Sequence, residues 1–511
     1  MPDNASPDVI VIGSGIGGLC AAALLARYGQ KVVVCESHAI AGGAAHSFTR
    51  RGFQFDSGPS FYCGLQAKHS LNPLRYVLEA IGERLEVVSY DPLGHYHFPE
   101  GTFPVYSDAD RYRREIAAIS SAGADELERF ERRMMLMFEA LRGIPTLALR
   151  ADWHLPSVLL SRYGWKLLSF LPQAGAVSRP LSALMQGVVR DRWVRRLIDL
   201  ECFLLSGLKA DGTIAAEMAF MFGERTSVGV DYPVGGSGAI VDALVRGLER
   251  WGGELRLNTH VDRISVEAGR VTGVCLHGGE RLHATTVISN ASIWDTYRKL
   301  LDPKDVPAAE RSRALQTPAI HSFMHLHLGI RAEGLSAKLN DLGGHHVVVR
   351  DSDRDISEPG NTCMISIPSV WDASLAPPGH HVVHAYTLEP HAGWQRDETY
   401  SDRKRERSQS LYQALEKVIP DIRDRVELEL IGTPLTHAHY LRRYQGTYGA
   451  AIAAGRSLFP GPHTSIAGLY RTGDSTLPGI GVPAAAASGT ICANTLVPVR
   501  QTLALLDELA L

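Results

Sequence analysis

The chain has 511 residues, 45% of them hydrophobic and 21% charged, which excludes general disorder and is enough for two or three lobes with real cores. Its 52 lysines and arginines nearly balance its 55 aspartates and glutamates, and a formal charge of −3 leaves no electrostatic footprint for nucleic acid. Seven cysteines, at 20, 35, 63, 202, 275, 363 and 492, form no C-x-x-C pair, so neither a zinc site nor a disulfide framework is suggested and a reducing compartment fits best.

The first strand begins at Asp8, and no signal or transit peptide is expected beyond one already removed. Val9-Ile10-Val11-Ile12 reads as a buried parallel strand, and Gly13-Ser14-Gly15-Ile16-Gly17-Gly18 follows at once. Leu19 to Arg27 reads as a helix, and Lys31 to Cys35 as a second strand closing on Glu36. This is a βαβ dinucleotide unit: Gly13 for the tight turn, Gly15 for approach to a pyrophosphate and Gly18 for close packing of helix on strand. The helix start faces the phosphates. Glu36 accepts hydrogen bonds from a ribose diol and repels a 2′-phosphate, favouring FAD or NAD over NADP.

Next comes Ala41-Gly42-Gly43, then Gly52-Phe53-Gln54-Phe55-Asp56-Ser57-Gly58-Pro59. This pair of glycine-rich turns resembles the second signature of the flavin amine oxidase and phytoene desaturase superfamily, which implies FAD rather than NAD. The resemblance brings Gly42, Gly43, Asp56, Gly58 and Pro59 to the cofactor. The superfamily often carries a basic residue after the paired glycines. Here Ala44 stands there, and His46 or Arg50 is the substitute to look for.

From Arg142 to Arg196 basic residues outnumber acidic ones, and Trp153, Trp165 and Trp193 punctuate apolar helical runs such as Leu155 to Leu171. Basic heads, tryptophans and an apolar face are the ingredients of an interfacial helix, with a core helix as the alternative. No run of about 18 apolar residues occurs to span a bilayer. Tyr232-Pro233-Val234-Gly235-Gly236 precedes a helix, short strands follow over 254–257, 261–266 and 271–276, and Val287-Ile288-Ser289-Asn290 returns the chain to the first lobe. By the same resemblance, Val261 meets the adenine.

His321 to Leu328 alternates, placing His321, Phe323, His325 and His327 on one strand face. No carboxylate or cysteine sits at a companion spacing, so the expectation is a solvated or tunnel-mouth face and no metal. Near the end, Gly468 to Asp474 closes an apolar strand in Gly473-Asp474, and Pro478-Gly479-Ile480-Gly481-Val482 opens a small-residue helix. Asp474 suits a flavin ribityl hydroxyl, and the helix start at Gly481 and Val482 aims its positive end at the flavin C2 carbonyl. No Cys or His stands in a flavin-linking pattern, so the FAD is expected to be non-covalent.

Together these stretches resemble the carotenoid branch of the superfamily, namely bacterial-type phytoene desaturases, prolycopene isomerases and retinol saturases, and most of all prolycopene isomerase-like proteins. Gly432-Thr433-Pro434-Leu435-Thr436-His437 and Gly446-Thr447-Tyr448-Gly449 look like the isomerase group in particular. The implied fold is α/β, a Rossmann-like FAD domain (1–70, 225–295, 465–511) carrying a helical, membrane-contacting insertion (71–224) and a substrate-binding sheet domain (296–464). The implied activity is cis–trans isomerisation of a carotenoid through reduced flavin. Desaturation or saturation, redox-neutral hydration, and amine oxidation are alternatives, and a flavin-free relative of the Rab GDP-dissociation inhibitors is disfavoured by Glu36 and Gly473-Asp474. The flavin is expected to be the principal catalyst, with Glu201, Glu217, His325, His327 and His437 the side chains to test. A diffusible electron donor or acceptor and a membrane surface are the expected partners, with the protein peripheral to a membrane in cytoplasm or plastid stroma.

Overall fold

A computed structural model describes residues 6–58, 60–335, 343–455 and 457–511. The β-branched run Val9–Ile12 lies at the centre of a five-stranded parallel sheet ordered Glu254–Arg256, Val32–Cys35, Val9–Ile12, Thr286–Ser289 and Leu469–Arg471. A parallel sheet covered on both faces is apolar along whole strands, and every residue of Val9–Ile12 and Val32–Cys35 is buried. The helix Ile16–Arg27 starts ahead of the expected Leu19 because Gly15 occupies its N-cap. Its alanines and leucines are buried nearly all round, against the helices Ser237–Arg250 and Val482–Leu496. Helix and helix meet closely at Gly489, where a Cβ would stand 2.5 Å from the Gly17 carbonyl oxygen.

The second lobe is built on a seven-stranded sheet ordered Val426–Gly432, Ser322–Arg331, His380–Glu389, Thr362–Ser366, His345–Val349, Gly94–Phe98 and Gly101–Val105. All neighbours are antiparallel except His345–Val349 with Gly94–Phe98. On Ser322–Arg331, Met324, Leu326, Leu328 and Ile330 pack with Leu411 and Leu415 of the helix Tyr400–Val418. The opposite face looks back toward the first lobe.

Segment 71–224 departs from its purely helical reading. It supplies the strands Gly94–Phe98 and Gly101–Val105 to the seven-stranded sheet, and its helix Pro73–Ile81 packs on the dinucleotide lobe. The helices Ala109–Ile119, Ser121–Leu141, Arg192–Ser206 and Ala215–Val228 share a core that includes Ile116, Phe130, Leu197 and Phe222. The three tryptophans also part company. Trp153 and Trp165 are 81% and 87% exposed, together with Leu160, Leu168 and Leu171, whereas Trp193 packs edge-on against Phe98 and Phe103. Among the described residues no helix is long and apolar enough to cross a membrane.

Candidate flavin and substrate site

A cavity of about 640 Å³ runs between the lobes, from Glu36 and Val261 at one end to Tyr96 and Arg225 at the other. At the dinucleotide end the turn after the first strand needs Gly13 at φ +91°, and a Cβ on Gly18 would lie 2.4 Å from the Gly13 carbonyl oxygen. Gly13, Gly15, Glu36, Gly42 and Gly43 line the cavity; Gly18 sits behind them as the packing residue. Ser14 is also behind the wall. Fully buried, it donates from both N–H and Oγ to Glu36 Oε2, at 2.8 and 2.7 Å, while the His38 N–H donates to Oε1 at 2.8 Å. Ser14 therefore aims the Glu36 carboxylate rather than meeting a ligand itself.

Ser57 and Gly58 reach the cavity, but Asp56 does not, contrary to its expected place beside the cofactor. Its carboxylate accepts from Ser47 Oγ, Tyr232 Oη, and both the N–H and Oγ of Ser237, so it caps the start of the helix Ser237–Arg250. Burial raises its pKa and those donors oppose the shift. Pro59 lies outside the described residues. The missing basic residue is not Arg50, which is exposed on the hairpin away from the cavity. His46 lines the cavity, but burial lowers its pKa and leaves it uncharged. The cations that do line the cavity are Lys299, Arg225, Arg442 and Arg443, and Arg442 makes no ion pair among the described residues.

Gly473, Asp474, Gly481 and Val482 all line the cavity. Arg443 donates to Asp474 Oδ2 at 2.5 Å and to the Tyr448 carbonyl at 3.0 Å, tying two of the sequence motifs together. Gly481, at φ +99°, caps the helix Val482–Leu496, and a Cβ on it would meet no protein atom closer than 4.0 Å because that side opens into the cavity. The chain thus offers a ribose acceptor at Glu36, an apolar adenine wall at Val261, a glycine cradle at a helix start and a second helix start beside Asp474. These are the donors and clearances FAD requires.

The substrate end is walled by Phe323, His325, Tyr386, His437, Tyr448 and Met364. The histidine face expected to be solvated is buried: His325 is 2% and His327 7% exposed. His327 does not line the cavity; its Nε2 pairs with the Asp56 carbonyl at 3.1 Å and its ring abuts Phe48 and Phe55. The expectation of no metal rested on the lack of a companion ligand, yet the neighbouring strand supplies His384. Its Nε2 lies 2.6 Å from His325 Nδ1, and ring nitrogens of His325, His327 and His384 fall within 4.8 Å of one another. The three rings are within 18° of parallel, and among the described residues no carboxylate or thiolate joins the group. Burial pulls His327 down to about 4 and His437 to about 3, and holds His325 well below its ordinary value, so all three are neutral at pH 7.

Glu201 lines the cavity and is paired with Arg225 at 2.8 Å. Glu217 is off the cavity, behind the turn at Gly479, where burial pushes its carboxyl up to about 8. Sequence reasoning missed His384, Tyr386 and Arg225. The alternation His380-His381-Val382-Val383-His384-Ala385-Tyr386 carried a strand signal for the first two, and a charged Glu224-Arg225 pair closing the apolar run from Met218 to Gly223 signalled the third.

A family model described as flavin containing amine oxidoreductase matches residues 16–497. Prolycopene isomerase 2, chloroplastic, of an Oncidium hybrid cultivar is 34% identical over 494 residues, which cover 95% of this chain and 83% of that protein. A neurosporene-forming phytoene desaturase of Cereibacter sphaeroides is 28% identical over 527 residues, covering 96% and 95%. Among solved structures, an oxidoreductase from Methanosarcina mazei shares the fold with a TM-score of 0.60 at 20% identity, covering 94% of this chain and 98% of that one.

Proposed function

The chain belongs to the family of flavin containing amine oxidoreductases and is an FAD-dependent enzyme, and from that premise we propose that it is a carotenoid oxidoreductase which interconverts cis and trans double bonds without net redox change. The observation that carries the reading is the make-up of the chamber beside Gly481: aromatic rings and uncharged imidazoles, with no free carboxylate at that end. Likeness to the orchid isomerase over nearly the whole chain supports it.

When bound, reduced FAD supplies electron density that steadies positive charge on a conjugated chain, so that one double bond loses order and can rotate. The protein's part is orientation and field. The faces of Phe323, Tyr386 and Tyr448 attract a delocalised cation, an effect worth about 0.5–2 kcal/mol per ring. Neutral His325 and His437 do not oppose that charge, as imidazolium rings would. The N-terminal end of Val482–Leu496 borders the cavity, and its positive dipole end favours negative charge there. A delocalised cation gives up or regains a proton easily, so no single side-chain acid or base is required. The one dinucleotide unit is assigned to FAD, so the electrons that first reduce the flavin come from a diffusible carrier and are not spent in turnover.

A polyene resides in lipid, and the exposed Trp153, Leu160, Trp165, Leu168 and Leu171 form a face suited to a bilayer surface. Asp507 engages Arg162 at 2.6 Å, which leaves Lys166 as the nearby charge for anionic headgroups. The test of the reaction is incubation with liposomal cis- and trans-polyenes, the flavin oxidised or pre-reduced, followed by chromatography. The expected result is cis-to-trans conversion with reduced flavin only, and no consumption of reductant. Conversion with oxidised flavin plus an acceptor would make the enzyme a desaturase, and turnover of amines instead would refute the polyene reading.

A further inference from the structure

Elsewhere on the wall of the same cavity, the proposed isomerisation leaves a buried charge cluster without a task. Glu201, on Arg192–Ser206, and Arg225, on Ala215–Val228, both line the cavity, with side chains only 2% and 5% exposed. Glu201 Oε1 accepts from Arg225 Nη1 at 2.8 Å and from Tyr112 Oη at 3.3 Å. Arg225 Nη2 donates to Glu131 at 3.1 Å. Burial pushes the Glu131 carboxyl up to about 7, so near pH 7 it offsets only part of the charge.

The cluster is incompletely satisfied. Among the described residues nothing donates to Glu201 Oε2, and Arg225 uses only one N–H from each of two nitrogens. The Tyr96 hydroxyl, beside them on the cavity wall, makes no hydrogen bond among the described residues either. Isolating charges from water is costly unless every remaining lone pair and N–H finds a partner, and apolar side chains of equal volume at such a position are commonly neutral or stabilising. A wall meant only for hydrocarbon has no use for the pair.

We propose that the substrate carries a hydroxyl group at one end, which donates to Glu201 Oε2 and accepts from Arg225 or Tyr96, so that the enzyme takes polyene alcohols in preference to polyene hydrocarbons. A hydroxyl fits because it is donor and acceptor at once. A carboxylate would be repelled by Glu201, and a carbonyl would leave Oε2 unpaired. The inference rests on the polyene reading and narrows it. A site built around buried hydrogen-bonding groups discriminates strongly against an analogue lacking the matching group.

The experiment is equilibrium binding to the FAD-loaded protein in detergent micelles, read by flavin absorbance. The probes are an all-trans polyene alcohol, its methyl ether and the hydrocarbon of the same length. The alcohol is expected to bind at least tenfold tighter than the other two. In Glu201→Met with Arg225→Met, which removes both charges together, the preference should fall below twofold while flavin stoichiometry and far-UV dichroism stay at wild-type values. Equal binding of alcohol and hydrocarbon to the wild type would overturn the inference and leave the polyene reading standing. So would a preference surviving in the double variant. Binding of none of the three to flavin-loaded protein would overturn both. The wild-type comparison decides the matter even if the double variant does not fold.

Discussion

Replacing Glu36 by alanine separates the two tasks of that carboxylate. A carboxylate has about four acceptor sites; three are taken by the Ser14 N–H, the Ser14 Oγ–H and the His38 N–H, and the fourth holds only the long 3.3 Å contact from Ser37 Oγ, which a ribose hydroxyl can displace. One strong site remains for a ribose hydroxyl. A hydrogen bond to a charged acceptor contributes about 1.5–3 kcal/mol, so FAD affinity should fall about tenfold to 150-fold. The released Ser14 N–H is buried, which should lower the stability of the flavin-free protein by about 1–3 kcal/mol. Flavin fluorescence quenching on titrating the apoprotein measures the first effect and urea denaturation the second. FMN is the control, because it lacks the adenosine ribose: its affinity should change less than twofold. Unchanged FAD affinity, or an equal loss for FAD and FMN, would refute the placement of the adenosine at Glu36.

Gly481→Leu should retain fold but lose turnover by more than a hundredfold, since the side chain enters the cavity from a backbone at φ +99° that disfavours it; near-normal turnover with FAD bound would remove the helix start from the reaction site. Single alanine variants of His325 and His437 should keep measurable turnover, because general acid–base help is typically worth about 10²–10⁴-fold and is not the hard step here. Acid should destabilise the protein: His97, His327, His345 and His437 are held by burial at about 4, 4, 3 and 3, so below pH 6.5 the unfolded chain binds more protons than the folded one. Each costs on the order of 2 kcal/mol at pH 5; the carboxyls that burial raises, Asp56, Glu131, Asp199, Glu217, Glu224 and Glu389, act in the opposite sense, but His325, His346 and His384, held well below their ordinary value, add to the four histidines. A melting temperature at pH 5 equal to or above that at pH 7 would contradict this. Trp153→Ser with Trp165→Ser should weaken flotation with anionic liposomes at least tenfold, and salt should weaken the wild-type binding by screening; flotation unaffected by either would place the lipid contact elsewhere.

The dinucleotide unit was legible because each of its demands is local: an apolar run, glycines at set spacings, an acid at the end of the next strand. Gly473-Asp474 and Gly481 were legible for the same reason. Asp56 shows the limit of such reading. Its motif fixes the loop, but whether a carboxylate faces ligand or caps a helix depends on Ser237 and Tyr232, far away in the sequence. The histidine strand was read with the right alternation and the wrong environment, since burial of His325 and His327 comes from a hairpin of the other lobe and from His384 across the sheet. Trp193 and the exposed tryptophans share a composition and differ only in what packs over them. The hairpin Gly94–Phe98 and Gly101–Val105 is a local pairing that was overlooked, whereas its place in the sheet beside His345–Val349, far along the chain, was hidden from local reading.

The first helix, Ile16–Arg27, and the helix Val482–Leu496 are packed side by side although they stand far apart in the sequence. During synthesis the nucleotide cradle at Gly13–Gly18 therefore emerges well before its outer strand, Leu469–Arg471, and the helix Val482–Leu496, and stays half-built until they follow. Contacts of such long sequence separation form slowly, since loop closure must come first. Until then the chain has little to offer a flavin, and capture of the cofactor becomes a checkpoint for the arrival of those two segments. A nascent chain halted before Gly473 should be colourless, sticky through its uncovered alanine-rich helix, and an early target for degradation.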